Sequence, residues 1–126
     1  LCDVVEFTGG TKCDPKKVIN GGPMMGMAAY TPEFPVMKQT NAILLFDQKD
    51  AKLPTPTACI RCGKCINNCP MKLMPVSVEQ ALKTNDIDRL KKLNVLNCME
   101  CGCCSFGCPA ARPLVQSMKL AKQKVR

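Results

Sequence analysis

The stretch CIRCGKCINNCP, residues 59–70, places four cysteines within eleven residues and ends on a proline. The same pattern returns as CMECGCCSFGCP at residues 98–109. In both runs four cysteines are separated by three, three and four positions, and each of the four in the second run lies 39 residues after its counterpart in the first. Gly63 is matched in the same way by Gly102. We interpret the repeat as the duplication of a complete binding unit, which decides the fold of this part of the chain.

The spacing is typical of cysteines that bind a cubane iron–sulfur cluster. Such a cluster needs four thiolates directed at alternate corners of a compact body, and three cysteines at i, i+3 and i+6 on a tight loop can reach three corners. The fourth cysteine of such a repeat usually binds the other cluster, and the proline turns the chain away behind it. We therefore predict two [4Fe-4S] clusters with crossed ligand sets, the first bound by Cys59, Cys62, Cys65 and Cys108 and the second by Cys98, Cys101, Cys104 and Cys69.

Zinc and disulfides are the two other interpretations of these cysteines. Structural zinc sites take four ligands, typically as two separated pairs and often with histidine, whereas this chain has no histidine and four cysteines of matched spacing in each run. Two all-cysteine zinc sites are formally possible, but each triplet crowds too many sulfurs around one tetrahedral ion. An odd total of eleven cysteines and the lack of a recognisable signal peptide argue against a secreted disulfide framework. Reduced cysteines and a cytosolic compartment are expected.

Three cysteines lie outside this scheme. Cys103 is predicted to be a packing thiol beside the cluster rather than an alternative ligand, because the repeat is complete without it. Cys2 and Cys13 precede the repeat, and the default prediction for both is a small buried hydrophobic residue with no functional role.

The net charge is +8, and lysines are concentrated in the C-terminal stretch KLAKQKVR. We interpret this stretch first as a solvated helix face and second as a basic docking surface for an acidic redox partner or anionic lipid. Nucleic acid is not expected as a partner, because the basic residues are not interleaved with aromatic ones. No apolar run approaches the roughly 18 residues of a membrane span, so no transmembrane segment is predicted.

Composition divides the chain into three parts. Residues 1–50 are predicted to be a partial α/β segment, with a helix in VVEF that ends at Gly9 and Gly10, a short strand in KKVIN and a longer strand in VMKQTNAILLF at 36–46. Residues 51–58 are predicted to be a linker, because their prolines break regular structure. Residues 59–126 are predicted to be a helical domain. The start at Leu1, without Met, suggests a piece of a longer polypeptide.

The helical part is predicted to contain two short helices between the cysteine runs and one after them. Ser77 is the expected N-cap of the first helix and Asn85 the expected start of the second. The final helix is expected to begin near Pro113. Its buried side should hold Leu114, Met118 and Val125, and the earlier pair should bury Val78, Leu82, Ile87, Leu90 and Leu93.

The run GGPMMG, residues 21–26, lacks the order of glycines and the lysine that a phosphate-binding loop needs. It predicts a turn after a strand, with methionines filling irregular core space. No nucleophile and base, and no pair of carboxylates, stands out elsewhere. No catalytic residue is therefore predicted, and electron transfer is the only chemistry expected.

Four stretches together resemble the C-terminal part of the C-subunit of the Rnf-type electron transport complex, a membrane-bound ferredoxin:NAD oxidoreductase that pumps sodium ions or protons. These are KVINGGPMMGMAAY, VMKQTNAILLF, ACIRCGKCINNCPMKLMP and LNCMECGCCSFGCPAARPL. The resemblance implies an α+β fold, in which the end of a β-grasp segment of the soluble-ligand-binding (SLBB) type is followed by an α-helical ferredoxin domain with two [4Fe-4S] clusters. The family's cluster ligands correspond to the eight cysteines assigned above.

The resemblance also implies partners and a location. The partners would be the other proteins of a membrane-bound complex and a ferredoxin-like redox protein, and the location would be peripheral, on the cytoplasmic side of the cell membrane. FMN and NAD(H) are expected only on a region upstream of this chain, so by itself the chain is part of an oxidoreductase and lacks the flavin and NAD site. A similar cluster domain occurs in a cobalamin reductase of bacterial microcompartments, which is one alternative. The other is an interaction module in which the metal only stabilises the fold.

Overall fold

The computed structural model describes residues 1–31 and 33–126. They form two compact units, residues 1–53 and residues 54–126. The first unit contains α1 (Cys2–Phe7), β1 (Lys17–Asn20), β2 (Met27–Ala29) and β3 (Ile43–Phe46). The second contains α2 (Lys64–Asn67), α3 (Pro75–Lys83), α4 (Ile87–Lys92), a 3-10 turn (Val95–Asn97), α5 (Cys103–Phe106) and α6 (Leu114–Val125).

The first unit is built on a three-stranded antiparallel sheet in the order β2-β1-β3. The central strand places Val18 opposite Ala29 on one side and Leu45 on the other, and its Val18 and Ile19 are buried. Strand β1 and helix α1 are the elements predicted in KKVIN and VVEF, so both predictions are confirmed. The helix ends as expected at the glycine pair, because the Gly10 N–H donates to the carbonyl of Val5.

The predicted strand at residues 36–46 is wrong in length, because only Ile43–Phe46 is a strand. Its first part forms a closed turn, in which the Thr40 N–H donates to the Met37 carbonyl at 2.9 Å and the Met37 N–H donates to the Thr40 hydroxyl at 3.2 Å. Strand β1 offers only four residues for pairing. The upstream residues therefore satisfy their backbone groups locally.

The turn predicted in GGPMMG is confirmed, since the Gly26 N–H closes it on the Gly22 carbonyl at 2.8 Å. A Cβ at Gly26 would lie 2.5 Å from the Gly22 oxygen and from the Ile19 side chain, so only glycine fits there. The prediction that the methionines fill core space is wrong, and Met25 is 58% exposed. After the turn, the chain runs antiparallel to β1 as β2, a three-residue strand that was not predicted.

Two short helices between the cysteine runs are confirmed, but both predicted caps are wrong. Helix α3 begins at Pro75, whose fixed φ suits a first helical position, so Ser77 lies inside the helix. Helix α4 is capped by Asp86, whose carboxylate accepts from the Arg89 N–H at 2.9 Å. Asn85 adopts a left-handed conformation with φ 55° and ends the first helix instead of starting the second.

The core of the second unit lies where α3 and α4 pack against α6. Val78, Leu90, Val95 and Met118 have almost no exposed surface. The predicted buried sides are confirmed: Leu114 is also buried, and the partly buried residues packed against the core include Leu82, Ile87, Leu93 and Val125. The first turn of α6 joins a second cluster of buried residues with Cys104, against which Cys65 and Cys108 pack. The same helix thus covers the core and the cysteines.

A serine from α5 caps helix α6. The Ser105 hydroxyl accepts from the Val115 N–H at 2.8 Å, which satisfies an N–H that no helical carbonyl can reach. Replacing Ser105 with alanine is expected to lower the free energy of unfolding by about 1 kcal/mol. Ser117→Ala is the matched control, because that hydroxyl bonds only to the Pro113 carbonyl at 3.4 Å within its own helix. Anaerobic urea titration of both variants checks the difference, and equal stabilities would contradict it.

Candidate iron–sulfur site

The two cysteine runs share a backbone conformation as well as a spacing. Arg61 and Glu100, 39 positions apart, both have left-handed backbones, with φ of 56° and 59°. Gly63 and Gly102 follow with φ of 74° and 82°, and a short helix, α2 or α5, begins directly after each glycine. Non-glycine residues rarely adopt this conformation, so its recurrence at matched positions is informative. The duplication predicted from spacing is therefore also present in three dimensions.

The first cavity is lined by four cysteines: three come from the first run and one from the end of the second. They are Cys59, Cys62, Cys65 and Cys108. The cavity has a volume of about 200 Å³, and its remaining walls are largely apolar, with Ile66, Val76 and Leu114 among them. Cys59 and Cys62 are exposed, whereas Cys65 and Cys108 are half-buried. This side of the unit therefore brings together sulfurs from both runs.

The second cavity is lined by the complementary set of four cysteines. They are Cys69, Cys98, Cys101 and Cys104. Cys104 is buried and the other three are half-buried. Val115 and Met118 of helix α6 form part of the wall, which ties this cavity to the core. All eight cysteines named from the sequence thus line two separate cavities, and their role as ligands stays a prediction.

Backbone N–H groups point at sulfurs of both cavities. Arg61 donates to the Cys59 Sγ, Glu100 to the Cys98 Sγ and Leu73 to the Cys69 Sγ, each at 3.4 Å. The left-handed turns at Arg61 and Glu100 produce the first two contacts. Hydrogen bonds to a sulfur favour its thiolate form over its thiol form. The loops are therefore arranged to support negatively charged sulfur.

Burial of these sulfurs opposes that charge. It raises the pKa of the Cys104 thiol to about 11, against a partial offset from its hydrogen bonds with Ser105. Burial also raises the pKa of Cys65 and of Cys98. Because a metal ligand must be deprotonated, cluster binding would release these protons and supply the compensating positive charge.

Arg112 connects three segments around the first cavity. Its guanidinium forms a bidentate ion pair with the Glu79 carboxylate of α3, with Nε donating to Oε2 at 3.0 Å and Nη2 to Oε1. Its Nη1 donates to the Thr57 carbonyl at 3.3 Å, and the Thr57 N–H donates to the Ala110 carbonyl at 3.0 Å. The residues before Cys59 and after Cys108 are thereby held together. Sequence analysis missed this pair, because its members lie 33 positions apart and carry no motif.

Lys122 has the corresponding position near the second cavity. Its ammonium group donates to the Cys98 carbonyl at 2.9 Å and to the Glu100 carboxylate at 2.6 Å. The hydrogen bond to Lys122 holds the pKa of Glu100 below its usual range, against a smaller opposing effect of burial. The prediction that KLAKQKVR is a solvated helix face is therefore wrong for Lys122, whose side chain is only 13% exposed.

The remaining cysteines line neither cavity. Cys103 is half-buried and lies beside Cys101, and their hydrogen bond, together with burial, raises the pKa of Cys103. Its predicted packing role stays a prediction. The prediction that Cys2 and Cys13 are buried hydrophobic residues is wrong, because both are exposed. They belong to the small first unit, where the short sheet buries little beyond Val18 and Ile19.

The donor set decides what each cavity can hold. Each offers four sulfurs, and backbone N–H groups are directed at sulfurs in both cavities. Within residues 1–31 and 33–126, no group of three or more Cys, Asp or Glu side chains is arranged to hold a single metal ion. A [4Fe-4S] cluster takes four thiolates at its corners, so the chemistry of each donor set fits such a cluster.

Similarity to a known family shows which class of domain the cysteine-rich part of the chain forms. Residues 52–113 match the family model described as a 4Fe-4S dicluster domain. This part of the chain is therefore a 4Fe-4S dicluster domain, attached to a unit with a small antiparallel sheet.

The comparison with whole proteins covers nearly all of the chain. It is 43% identical over 97% of its length to the C-subunit of the Na(+)-translocating ferredoxin:NAD(+) oxidoreductase complex of Acetobacterium woodii. It is 40% identical over 98% of its length to the C-subunit of the ion-translocating oxidoreductase complex of Methanosarcina acetivorans, and 38% identical over 99% to that of Rhodobacter capsulatus. The chain is thus similar to these proteins along nearly its whole length, which confirms the resemblance. It spans 28%, 28% and 24% of these three relatives, about a quarter of their length.

Among the residues described, no helix combines the length and apolar character that crossing a membrane requires.

Proposed function

We propose that the chain relays single electrons through two [4Fe-4S] clusters within a membrane-associated ferredoxin:NAD oxidoreductase of the Rnf type. The observation that carries the proposal is the presence of two cavities, each lined by four cysteines drawn from both runs. The proposed ligands are Cys59, Cys62, Cys65 and Cys108 for one cluster and Cys98, Cys101, Cys104 and Cys69 for the other.

The residues around the cavities support this role. When bound, a [4Fe-4S] cluster supplies a one-electron couple whose potential depends on charge, hydrogen bonds to sulfur and exposure. The chain provides N–H donors to Cys59, Cys69 and Cys98 and places Arg112 and Lys122 near the two sites. Two oxidised clusters, each with a charge of about −2, would reduce the formal net charge of +8 to roughly +4.

The wider setting is proposed from the relatives. The other proteins of the complex and a ferredoxin-like redox protein are the proposed partners, and the proposed location is peripheral, at the cytoplasmic side of the membrane. FMN and NAD(H) are assigned to parts of the longer relatives that this chain does not span. The antiparallel sheet of residues 1–53 supports the interpretation of that unit as part of a β-grasp segment.

Anaerobic chemical analysis tests the proposal. We expect about eight iron atoms and about eight acid-labile sulfide ions per chain, with absorbance at about 400 nm that bleaches on reduction by dithionite. Electron paramagnetic resonance should then show reduced clusters. Iron-free native protein, or zinc in its place, would refute the cluster assignment. Clusters that are present but resist reduction near physiological potentials would favour the purely structural role.

A further inference from the structure

The two cavities differ in their access to solvent. Two of the four cysteines of the first cavity, Cys59 and Cys62, are exposed. Among the cysteines of the second cavity none is exposed, and helix α6 forms part of the wall. The rate of electron transfer between two proteins falls steeply with the distance between their redox centres. The first cavity is therefore the better point of exchange with another protein.

The charged residues that line the first cavity are all basic. Arg61 lines the cavity and is exposed, and Lys64 is exposed one residue after Gly63. Among the described residues that line the cavity there is no Asp or Glu. Residues 54–126 hold twelve basic and four acidic residues, so the whole net charge of +8 lies in this unit. Such a surface attracts an acidic partner and repels a basic one.

An apolar residue, Ile60, lies between Cys59 and Arg61 in the sequence of this loop. Ile60 is 67% exposed, although it lines the same cavity. An exposed apolar residue inside a charged rim is the usual composition of a protein interface, in which apolar contact provides affinity and the rim provides orientation. Residues 59–64 thus combine access to the cavity, an apolar contact and a basic rim.

We infer that residues 59–64 form a docking loop for an acidic iron–sulfur electron carrier, which exchanges electrons with the cluster proposed for the first cavity. The inference rests on the proposed relay function and specifies where the relay meets its partner. In each exchange one electron leaves the reduced cluster of one protein and arrives at the oxidised cluster of the other. No bond forms or breaks, and no proton is required.

Charge-reversal variants of the cluster-loaded chain test the docking loop, with an acidic plant-type [2Fe-2S] ferredoxin as the probe. Binding is measured anaerobically by calorimetry between about 20 and 200 mM salt, where screening of exposed charges changes strongly. The double variant R61E/K64E is expected to raise Kd about tenfold or more at low salt. Glu100 occupies the position equivalent to Arg61 with nearly the same φ, so the backbone accepts glutamate there.

The matched control is K91E/K92E, which changes the net charge equally at two exposed lysines of α4 that line neither cavity. It is expected to change Kd by less than about twofold. Ile60→Ser should raise Kd about fivefold without altering the salt dependence, because it removes apolar contact only. Iron content is measured on every variant, so that a lost cluster is not mistaken for lost docking.

Three results would overturn the inference. Equal weakening by both double variants would mean attraction by net charge alone, and no weakening by R61E/K64E would mean a different docking face. If the chain self-associates and R61E/K64E abolishes that self-association, residues 59–64 would instead bind a second copy of the chain. None of these results involves a change in iron content or reducibility. The docking proposal can therefore be refuted while the proposed relay function is retained.

Discussion

Combining Cys59→Ser with Cys69→Ser is expected to remove both clusters, whereas combining Cys59→Ser with Cys108→Ser is expected to remove only one. The reason is that Cys59 and Cys69 line different cavities, whereas Cys59 and Cys108 line the same one. Iron should fall from about eight per chain to near zero in the first double variant and to about four in the second. Iron and sulfide analysis of anaerobic samples measures the difference.

The same two double variants also test the alternative arrangement, in which each cysteine run binds its own cluster. If each run bound its own cluster, the outcome would reverse, and Cys59→Ser with Cys69→Ser would keep about four iron. Cys103→Ser is the matched control, because Cys103 lies in the second run but lines neither cavity, and we expect it to keep about eight iron. Loss of a cluster in that control would make Cys103 a ligand and contradict the assignment.

Replacing Glu79 with glutamine is expected to lower the free energy of unfolding by about 3 kcal/mol, because the largely buried guanidinium of Arg112 would lose its carboxylate partner. The Glu79 side chain is 9% exposed, and Arg112 depends on it for two hydrogen bonds. Lys83→Gln is the matched control. It removes the other cation that pairs with Glu79, at 3.4 Å, but Lys83 is 66% exposed and its pair should contribute less than about 1 kcal/mol.

The effect of Glu79→Gln should depend on pH with a defined sign. Burial raises the pKa of the Glu79 carboxyl, but the hydrogen bonds and charges of Arg112 and Lys83 outweigh it and hold the pKa below its usual range. A lowered pKa stabilises the fold above the ordinary glutamate value of about 4.3, and the contribution is lost as the pH falls through the lower folded value. The stability difference between native protein and variant should be constant near neutrality and shrink only below about pH 4. A difference that grows in acid would contradict this explanation.

Features encoded by short stretches could be predicted from the sequence. The cysteine repeat, the glycine turns, the strand at KKVIN and the helix after Pro113 each depend on neighbouring residues, whose spacing and backbone preferences are local. Predictions failed where two local signals competed. Pro75 starts the first helix ahead of the predicted cap Ser77, and Asp86 caps the second helix in place of Asn85. Residues 37–40 form a turn because the partner strand β1 is only four residues long.

The sequence by itself determined which eight cysteines are the proposed cluster ligands, because they lie with their turns in two short runs of matched spacing. Only the tertiary structure decided that Cys59 and Cys62 are exposed while Cys104 is buried, and that Arg112 meets Glu79. The physical reason is that exposure and ion pairing depend on which distant segment packs over a residue. Helix α6 covers Cys104. The stretch CMECGCC contains no local pattern that predicts this contact.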